Sequence, residues 1–352
     1  MFKRILVPLD GSVRAEHAIP IAARVARAYR SSVVLLRVVE DVRQYGMYLP
    51  QYPFSLRQEF EARMKAEATS YLDGTTQRGE LVGITTKTKA LSGMVVSTIL
   101  AVARSQAIDL IVLCSRGRRG IKRWVFGSVA QEVAGSSPVP VLIVHEDEAP
   151  LADAASSFPR PLHALVALDS SAFARTVLVP TAHIVSALAA PAQGVFHLVY
   201  VAQPGTSRSQ AVQLSGREGQ QQGEARVNDH LLQMHEYLHA VKDQLCADPG
   251  AALQLSVTCS VVVHEDIAEA LIRFAEQGEE VADVEGFGGC DLIAMATHGR
   301  GGWQRLVKGS ITQRVLGASR LPLFIVRPRE TEAQEHRLGE KTRPRWLSQL
   351  GV

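Results

Sequence analysis

The sequence predicts an α/β protein made of two doubly wound domains, each with helices on both faces of a parallel sheet. The first observation is an internal repeat: residues 109–144 align with 291–326 at an offset of 182, and 17 of 36 positions are identical. The second is that short apolar segments alternate with helical apolar periodicity in both copies. Strands that are apolar on both faces and separated by helices are typical of a parallel sheet covered on both sides.

The two copies also match at their first strands. KRILVPLDGS (3–12) is similar to HALVALDSS (163–171), which aligns Asp10 with Asp169 at an offset of 159. The second copy therefore contains about 23 more residues, and we expect insertions near 203–223 and 276–289. The predicted domains are 1–146 and 162–328, with a linker rich in Pro, Ala and Ser between them and a flexible tail at 329–352.

In the first copy, five apolar segments alternate with helical patterns. Continuous apolar runs predict buried strands, whereas apolar residues three or four positions apart predict helices. The predicted strands are 5–9, 33–39, 81–88, 109–114 and 139–144, and the predicted helices lie near 18–29, 60–71, 96–103 and 128–136.

The second copy follows the same order. Its longest helix has a regular apolar stripe that ends at Leu245. The predicted strands are 164–168, 195–201, 255–263, 291–296 and 322–326, and the predicted helices lie near 172–189, 224–246, 266–276 and 310–318. Ligands of doubly wound sheets bind at the carboxyl ends of strands, where the winding direction reverses.

Composition and charge exclude several classes of protein. The chain has 352 residues, 21% of them charged, and a formal net charge of +3, which does not favour a nucleic-acid-binding role. The four cysteines form no CxxC motif, so we expect neither a zinc site nor a disulfide framework. No uninterrupted apolar run approaches the ~18 residues of a membrane-spanning helix. The sequence therefore predicts a cytoplasmic protein with no membrane partner.

The loop after the fourth strand contains the most informative motif. It reads CSRGRRGIKRWVFGSVAQEV at 114–133 and ATHGRGGWQRLVKGSITQRV at 296–315, so each copy has a glycine, nine residues, and Gly-Ser before a helix. Glycines allow close approach of the backbone to a phosphate, and a helix N-terminus attracts anions. Ser128-x-x-Gln131 and Ser310-x-x-Gln313 also fit a capping box, which is a purely structural alternative. The sequence leaves both roles open, and they are compatible.

With these motifs, the chain resembles a tandem universal stress protein. The resemblance rests on ILVPLDGS, on the duplicated glycine loop, and on the closing strands PVPVLIV and LPLFIV. It implies a sheet of strand order 3-2-1-4-5 in each domain. It also implies an internal pseudo-dimer in which 139–144 meets 322–326. An additional homodimer and a regulatory protein partner remain open.

The resemblance further implies a site for ATP or ADP, with Mg²⁺ bridging the phosphates. In nucleotide-binding members of the family, an Asp after the first strand contacts the nucleoside, a Val near the end of the second strand meets adenine, and the glycine loop holds the phosphates. The implied residues are Asp10, Val38, Gly117, Gly127 and Ser128 in the first copy, and Asp169, Val201, Gly299, Gly309 and Ser310 in the second. Both copies depart from the motif at its first glycine, which is Cys114 in one and Ala296 in the other.

Three functions are compatible with this pattern. The leading hypothesis is a stress-response regulator that binds an adenine nucleotide in one or both clefts. The alternatives are a nucleotide-free interaction scaffold of the same fold and a slow ATPase or phosphotransfer enzyme. The sequence contains no Walker A motif and no G-x-S-x-G elbow, so it does not favour a fast hydrolase and indicates no catalytic residue. Asp10 also has a structural alternative, because Asp is common at turns.

Overall fold

The structure, a computed structural model, describes residues 2–40, 54–115, 127–145, 160–204, 217–247, 255–278, 288–297 and 310–327. The predicted tail, and most of the predicted linker and of both predicted insertions, lie outside these ranges. Within them, strands and helices alternate in each half as the sequence pattern predicts.

The first half contains five strands and five helices among the described residues. Its apolar strands carry the centre of the sheet, and its helices pack against both faces. The strands are β1 (Arg4–Leu9), β2 (Ser32–Val39), β3 (Thr86–Ser92), β4 (Leu110–Ser115) and β5 (Val141–His145). The helices are α1 (Val13–Glu16), α2 (Ala18–Tyr29), α3 (Phe54–Thr76), α4 (Val95–Ser105) and α5 (Ser128–Ser136).

The second half repeats this order among its described residues. The strands are β6 (Leu162–Ala167), β7 (Gly194–Ala202), β8 (Leu255–Val263), β9 (Leu292–Ala296) and β10 (Leu323–Val326). The helices are α6 (Ala172–Arg175), α7 (Leu178–Ala189), α8 (Arg217–Ala247), α9 (Ile267–Gln277) and α10 (Ser310–Ala318). A short helix followed by a long one therefore comes after the first strand of each half.

The ten strands of the described residues form one sheet of order β3-β2-β1-β4-β5-β10-β9-β6-β7-β8. Each half has the predicted order 3-2-1-4-5 and only parallel pairs. The halves join at β5 and β10, which are antiparallel, with Leu142 opposite Phe324. The predicted pairing of 139–144 with 322–326 is thus present as an internal pseudo-dimer seam.

Two cores lie on opposite faces of this sheet, and both include residues from the two halves. One is beneath α2 and α7, and the other is beneath α4, α5, α9 and α10. At the seam between α2 and α7, the Tyr29 hydroxyl donates to the His183 carbonyl oxygen at 2.8 Å, and Arg24 donates to the Ala190 carbonyl oxygen at 3.0 Å. The two halves are therefore joined by side-chain packing and hydrogen bonds as well as by the sheet.

Three predicted elements have different bounds in the structure. The predicted strand at 81–88 is wrong at its start, because residues 79–81 form a 3-10 turn that buries Leu81 and β3 pairs with β2 only from Thr86. The predicted helix 172–189 is interrupted between α6 and α7. Helix α8 begins at Arg217, inside the segment predicted as an insertion loop. Its polar start, REGQQQG, is rich in Gln, Glu and Arg, which are good helix formers.

One segment, Ala172–Ala189, is long and apolar enough to span a membrane by length and composition, and 61% of it is buried inside the molecule. The break between α6 and α7 divides it into two helices. Its apolar character is explained by its position in the core beside β6 and β7.

Candidate functional site

The winding direction reverses once in each half. In the first half, β1 lies between β2 and β4, and in the second half β6 lies between β7 and β9. The chain leaves β1 and β4 toward opposite faces of the sheet, because β1 leads to α2 on one face and β4 leads to α5 on the other. This divergence creates a crevice at the carboxyl ends of the two strands, which is where ligands of such sheets bind. The chain therefore has two candidate clefts.

Asp10 and Asp169 hold the first loop of each cleft in the same conformation. The Asp10 Oδ1 atom accepts hydrogen bonds from the Ser12 N–H at 2.9 Å and from the Ser12 hydroxyl at 2.5 Å. Asp169 makes the same contacts with Ser171 at 3.0 and 2.5 Å. Each serine hydroxyl oxygen in turn accepts a backbone N–H from the first turn of α1 or α6, and so caps that helix. The turn role that the sequence left open is thus present, and it fixes each exposed aspartate beside its cleft.

The residue after each aspartate has a positive φ angle. Gly11 has φ +87°, and a Cβ atom there would lie 3.0 Å from the Arg37 guanidinium carbon. In the second half the same position is Ser170, with φ +63°. Glycine therefore suits the first-half loop in conformation, and a side chain there would displace the Arg37 guanidinium, whereas the second-half loop accepts a side chain.

We expect Gly11→Ala to lower the free energy of unfolding by about 1–2 kcal/mol, the cost of the left-handed conformation for an L-residue. The contact with Arg37 adds to this cost. Urea denaturation of the purified variant measures the loss. Ser170→Ala is the matched control, and it should change stability by less than about 0.5 kcal/mol because a side chain already occupies that position. Equal losses in the two variants would contradict the assignment.

A cation–aromatic contact supports the first loop of each half, and sequence reasoning missed both. The Arg37 guanidinium lies 5.0 Å from the centre of the Tyr71 ring. The Tyr71 hydroxyl donates to Glu16 at 2.8 Å, and burial together with this bond raises the pKa of Tyr71 well above its ordinary value. In the second half, Arg175 lies 5.6 Å from the Tyr237 ring. The cation comes from a strand in one half and from a helix in the other, so aligning the two copies could not predict this contact.

The two valines predicted to meet adenine lie at the carboxyl ends of β2 and β7. Val38 is half-buried and Val201 is buried, and both pack against the core beneath α4 and α9. They are therefore on the same face of the sheet as the helices that follow the glycine loops.

Helix α5 begins beside the first cleft without a side-chain cap. Gly127 is the N-cap residue, with φ −60° and ψ 140°, and its carbonyl oxygen accepts the Gln131 N–H at 3.1 Å. Ser128 is the first helical residue and is exposed. The capping-box hypothesis for Ser128 is therefore wrong, because that serine lies one residue past the cap. Among the described residues, no heavy atom lies within 4 Å of an ideal Cβ atom at Gly127, so none of them fills the space beside this helix start.

Three of the predicted phosphate-loop residues, Gly117, Gly299 and Gly309, lie outside the described residues. Ser310 is the first residue of α10, which matches the position of Ser128 in α5.

The two departures from the motif, Cys114 and Ala296, lie at the ends of β4 and β9 and face the core beneath α2 and α7. Cys114 is next to last in β4, and Ala296 is the last residue of β9. Both are partly buried and pack against the core beneath α2 and α7. Their side chains therefore face the opposite side of the sheet from α5 and α10.

Two further contacts near the clefts were not predicted. In the first half, Ser115 Oγ and His145 Nδ1 are 3.1 Å apart, and both residues are buried at the ends of β4 and β5. In the second half, Asp266 at the start of α9 forms an ion pair with Arg314 on α10, and hydrogen bonding from Arg314 lowers the pKa of the Asp266 carboxyl. In the part of the chain that the structure describes, no group of three or more His, Cys, Asp or Glu could hold a metal ion.

The fold and the two clefts define a tandem doubly wound α/β protein with a candidate ligand site in each half. The profile of the universal stress protein family matches residues 1–145 and again 162–327. The chain belongs to the universal stress protein family, with two copies of its domain in tandem.

Relatives of both one and two domains are similar to this chain. Universal stress protein Sll1654 of Synechocystis is 34% identical over 150 residues, which cover 41% of this chain and 86% of that protein. Universal stress protein Rv2005c of Mycobacterium tuberculosis is 25% identical over 332 residues, covering 92% of this chain and 96% of that protein. The solved structure of a universal stress protein from Archaeoglobus fulgidus covers 92% of this chain and 98% of its own, with a TM-score of 0.59 and 20% identity, and so shares the fold.

Proposed function

We propose that this protein is a stress-response regulator that binds an adenine nucleotide, ATP or ADP, in one or both switch-point clefts. The binding units are residues 1–146 and 162–328. Membership of the universal stress protein family supports the role in stress response. Nucleotide binding rests on the geometry of the clefts.

The observation that carries the proposal is the open start of α5. Its N-cap is Gly127, which has no side chain to cap the helix, and no other described residue lies where a Cβ atom would be. The first N–H groups of a helix have no partner within the helix, and the positive end of the helix dipole favours anions. A phosphate group fits this combination of backbone donors and open space.

The other parts of a nucleotide site are arranged around this helix start. Asp10 is held at the end of β1, the next strand to β4, where it can contact a ribose. Val38 lies at the end of β2, one strand further, and offers an apolar surface to a base. Cys114 packs into the opposite core, so its side chain does not obstruct the phosphates. Mg²⁺, when bound together with the nucleotide, would neutralise part of the phosphate charge.

Substitution at Gly127 separates ligand binding from folding. Asp and Asn are both favoured N-cap residues, and the backbone angles of Gly127 suit them. We therefore expect Gly127→Asp and Gly127→Asn to keep or slightly raise the thermal midpoint. The charged variant should weaken ATP binding at this cleft by at least about tenfold, because a carboxylate would face the phosphates. Titration calorimetry with ATP and Mg²⁺ measures both variants.

Nucleotide released from the purified, denatured wild-type protein provides the first measurement. ATP or ADP near one or two per chain supports the proposal, and phosphate release over time separates simple binding from slow hydrolysis. If no nucleotide is released and neither ATP nor ADP shifts the thermal midpoint, the proposal is wrong and the nucleotide-free scaffold takes its place.

A further inference from the structure

The two clefts differ at the helices that form one of their walls. In the second half, α9 follows β8 and α10 follows β9, and both pack on the same face of the sheet. The gap between their first turns therefore lies above the carboxyl ends of the strands between them, β7 and β6. The Asp266–Arg314 ion pair crosses this gap. It joins the first turn of one helix to the second turn of the other at the mouth of the cleft.

Asp266 is fixed in place for this contact. Its Oδ1 atom accepts the Ala268 and Glu269 N–H groups at 3.0 and 3.2 Å, which leaves Oδ2 for Arg314. The Asp266 N–H donates to His264 Nδ1 at 3.0 Å. The preceding loop is also tied to the end of β7, because the Gln203 amide donates to the Glu265 carbonyl oxygen at 2.8 Å. The carboxylate therefore has a defined position beside the end of the strand that carries Val201.

The first half cannot form this ion pair. The N-cap of its α4 is Met94, which makes no side-chain cap hydrogen bond and is 60% exposed. Glu132 occupies the position on α5 that corresponds to Arg314, at the repeat offset of 182, and is exposed. A methionine carries no charge, so Met94 and Glu132 form no ion pair between α4 and α5.

The described part of the first cleft's rim also carries exposed apolar side chains. Val13, the first residue of α1, is 75% exposed, and Val129 in the first turn of α5 is 37% exposed. Together with Met94, they surround the carboxyl ends of β1, β2 and β4. Val38 is half-buried there, whereas its counterpart Val201 is buried and only 8% exposed. Among the described residues, the first cleft therefore offers more exposed apolar surface to a flat base than the second.

We propose that the two clefts are unequal: the first is the open, preferred nucleotide site, and the Asp266–Arg314 pair is a latch that closes the second. This inference rests on the proposed function, because it assigns different affinities to the two sites for the same ligand. Asp266 and Arg314 are positioning residues, since they act by controlling access to the cleft. An exposed ion pair is weak enough for a ligand to displace it.

Charge-opposed variants test the latch in the full-length protein. Asp266→Asn removes a negative charge but keeps an N-cap residue, and Arg314→Gln removes a positive charge. If the pair is a latch, both variants should tighten ATP binding at the weaker site about three- to fivefold, the range that an exposed ion pair supports. If the two residues act only through their charges on ATP, the two variants should change affinity in opposite directions. Titration calorimetry with ATP and Mg²⁺, fitted to two sites, distinguishes these results.

The reciprocal change places the latch in the first half. The double variant Met94→Asp with Glu132→Arg should weaken the tighter site by a similar factor and leave the weaker site unchanged. Three results would overturn the inference while leaving the proposed function intact. The wild type could have two sites of equal affinity, Asp266→Asn and Arg314→Gln could have opposite effects, or Arg314→Gln could change the affinity of the tighter site. Absence of ATP binding at any site in the wild type would contradict the proposed function itself.

Discussion

Acidification from pH 7 to pH 4 is expected to lower the free energy of unfolding by about 3 kcal/mol through His197 alone. This residue lies in the middle of β7 and is 4% exposed. Burial, with a smaller contribution from the neighbouring His163, lowers the pKa of His197 to about 4. A buried histidine that stays neutral in the folded protein but becomes protonated in the unfolded chain favours unfolding in acid.

The contacts of His197 explain why it stays neutral. Its Nδ1 atom lies 2.6 Å from the Thr258 hydroxyl, and its Nε2 atom lies 3.0 Å from His163 Nδ1. The two imidazole rings are stacked, with centres 5.3 Å apart, and the edge of Phe274 covers His197. The charged groups beside this pair are Asp291, which accepts a hydrogen bond from the backbone N–H of His163, and Arg160, which forms an ion pair with Asp291. A positive charge on His197 would therefore lie next to the His163 imidazole and away from water.

The direction of the effect follows from proton binding. Above pH ~6.5, the ordinary pKa of histidine, His197 is neutral in both states and costs nothing. Between pH ~6.5 and pH 4 the unfolded chain binds the proton and the folded protein does not, so stability falls as the pH falls. Below pH 4 both states are protonated, and the loss reaches its full value. Burial lowers the pKa of His163 as well, which adds to the loss in the same direction.

Urea denaturation at pH values from 4 to 7.5 measures this dependence. His197→Gln keeps hydrogen-bonding groups at this position but does not titrate, so its stability should depend less on pH across this window. The exposed His235 provides the control, and His235→Gln should leave the slope of stability against pH unchanged. A wild-type slope that persists in His197→Gln would show that other groups cause the acid sensitivity.

Much of the fold could be predicted because the repeat fixed equivalent positions in both halves. Buried strands such as β1 and β4 are apolar on both faces, and that composition identifies them without tertiary information. The predicted start of β3 was wrong because Leu81 is buried in a turn rather than in a strand. An apolar residue alone does not show whether it is buried by a turn or by a strand. Helix α8 begins earlier than predicted because its first residues are polar, so they lack the apolar stripe that marks the rest of the helix.

The candidate site was predictable where local sequence determines geometry. Asp10 and Asp169 form their turns with serines two residues away, and Gly127 begins a helix. The contacts between distant residues were not predictable. Arg37 on Tyr71 and Asp266 with Arg314 join residues 34 and 48 positions apart. The cation of the second half, Arg175, comes from a different element, and Met94 and Glu132 stand where Asp266 and Arg314 would be in the first half. Each contact depends on how helices cross the sheet, which periodicity does not specify.

Replacing Phe324 with alanine is expected to cost about 3–5 kcal/mol, because it leaves a cavity where a fully buried aromatic ring had packed. Phe324 lies in β10 directly opposite Leu142 of β5, at the only antiparallel pair among the described strands. Its ring belongs to the core that includes apolar residues from both halves. The cavity therefore weakens the contact between the two halves as well as the second half itself.

A double-mutant cycle separates these two effects. Opposite residues of an antiparallel pair have adjacent side chains, so Phe324→Ala and Leu142→Ala should be non-additive by at least about 0.5 kcal/mol. We also expect one cooperative unfolding transition in the wild type and in each variant. Urea denaturation followed by circular dichroism, and thermal unfolding followed by calorimetry, both measure it. Phe324→Leu, which keeps most of the buried volume, should cost less than about 1.5 kcal/mol. Two separate transitions, of which Phe324→Ala moved only one, would show that the halves fold independently and that the seam contributes little to stability.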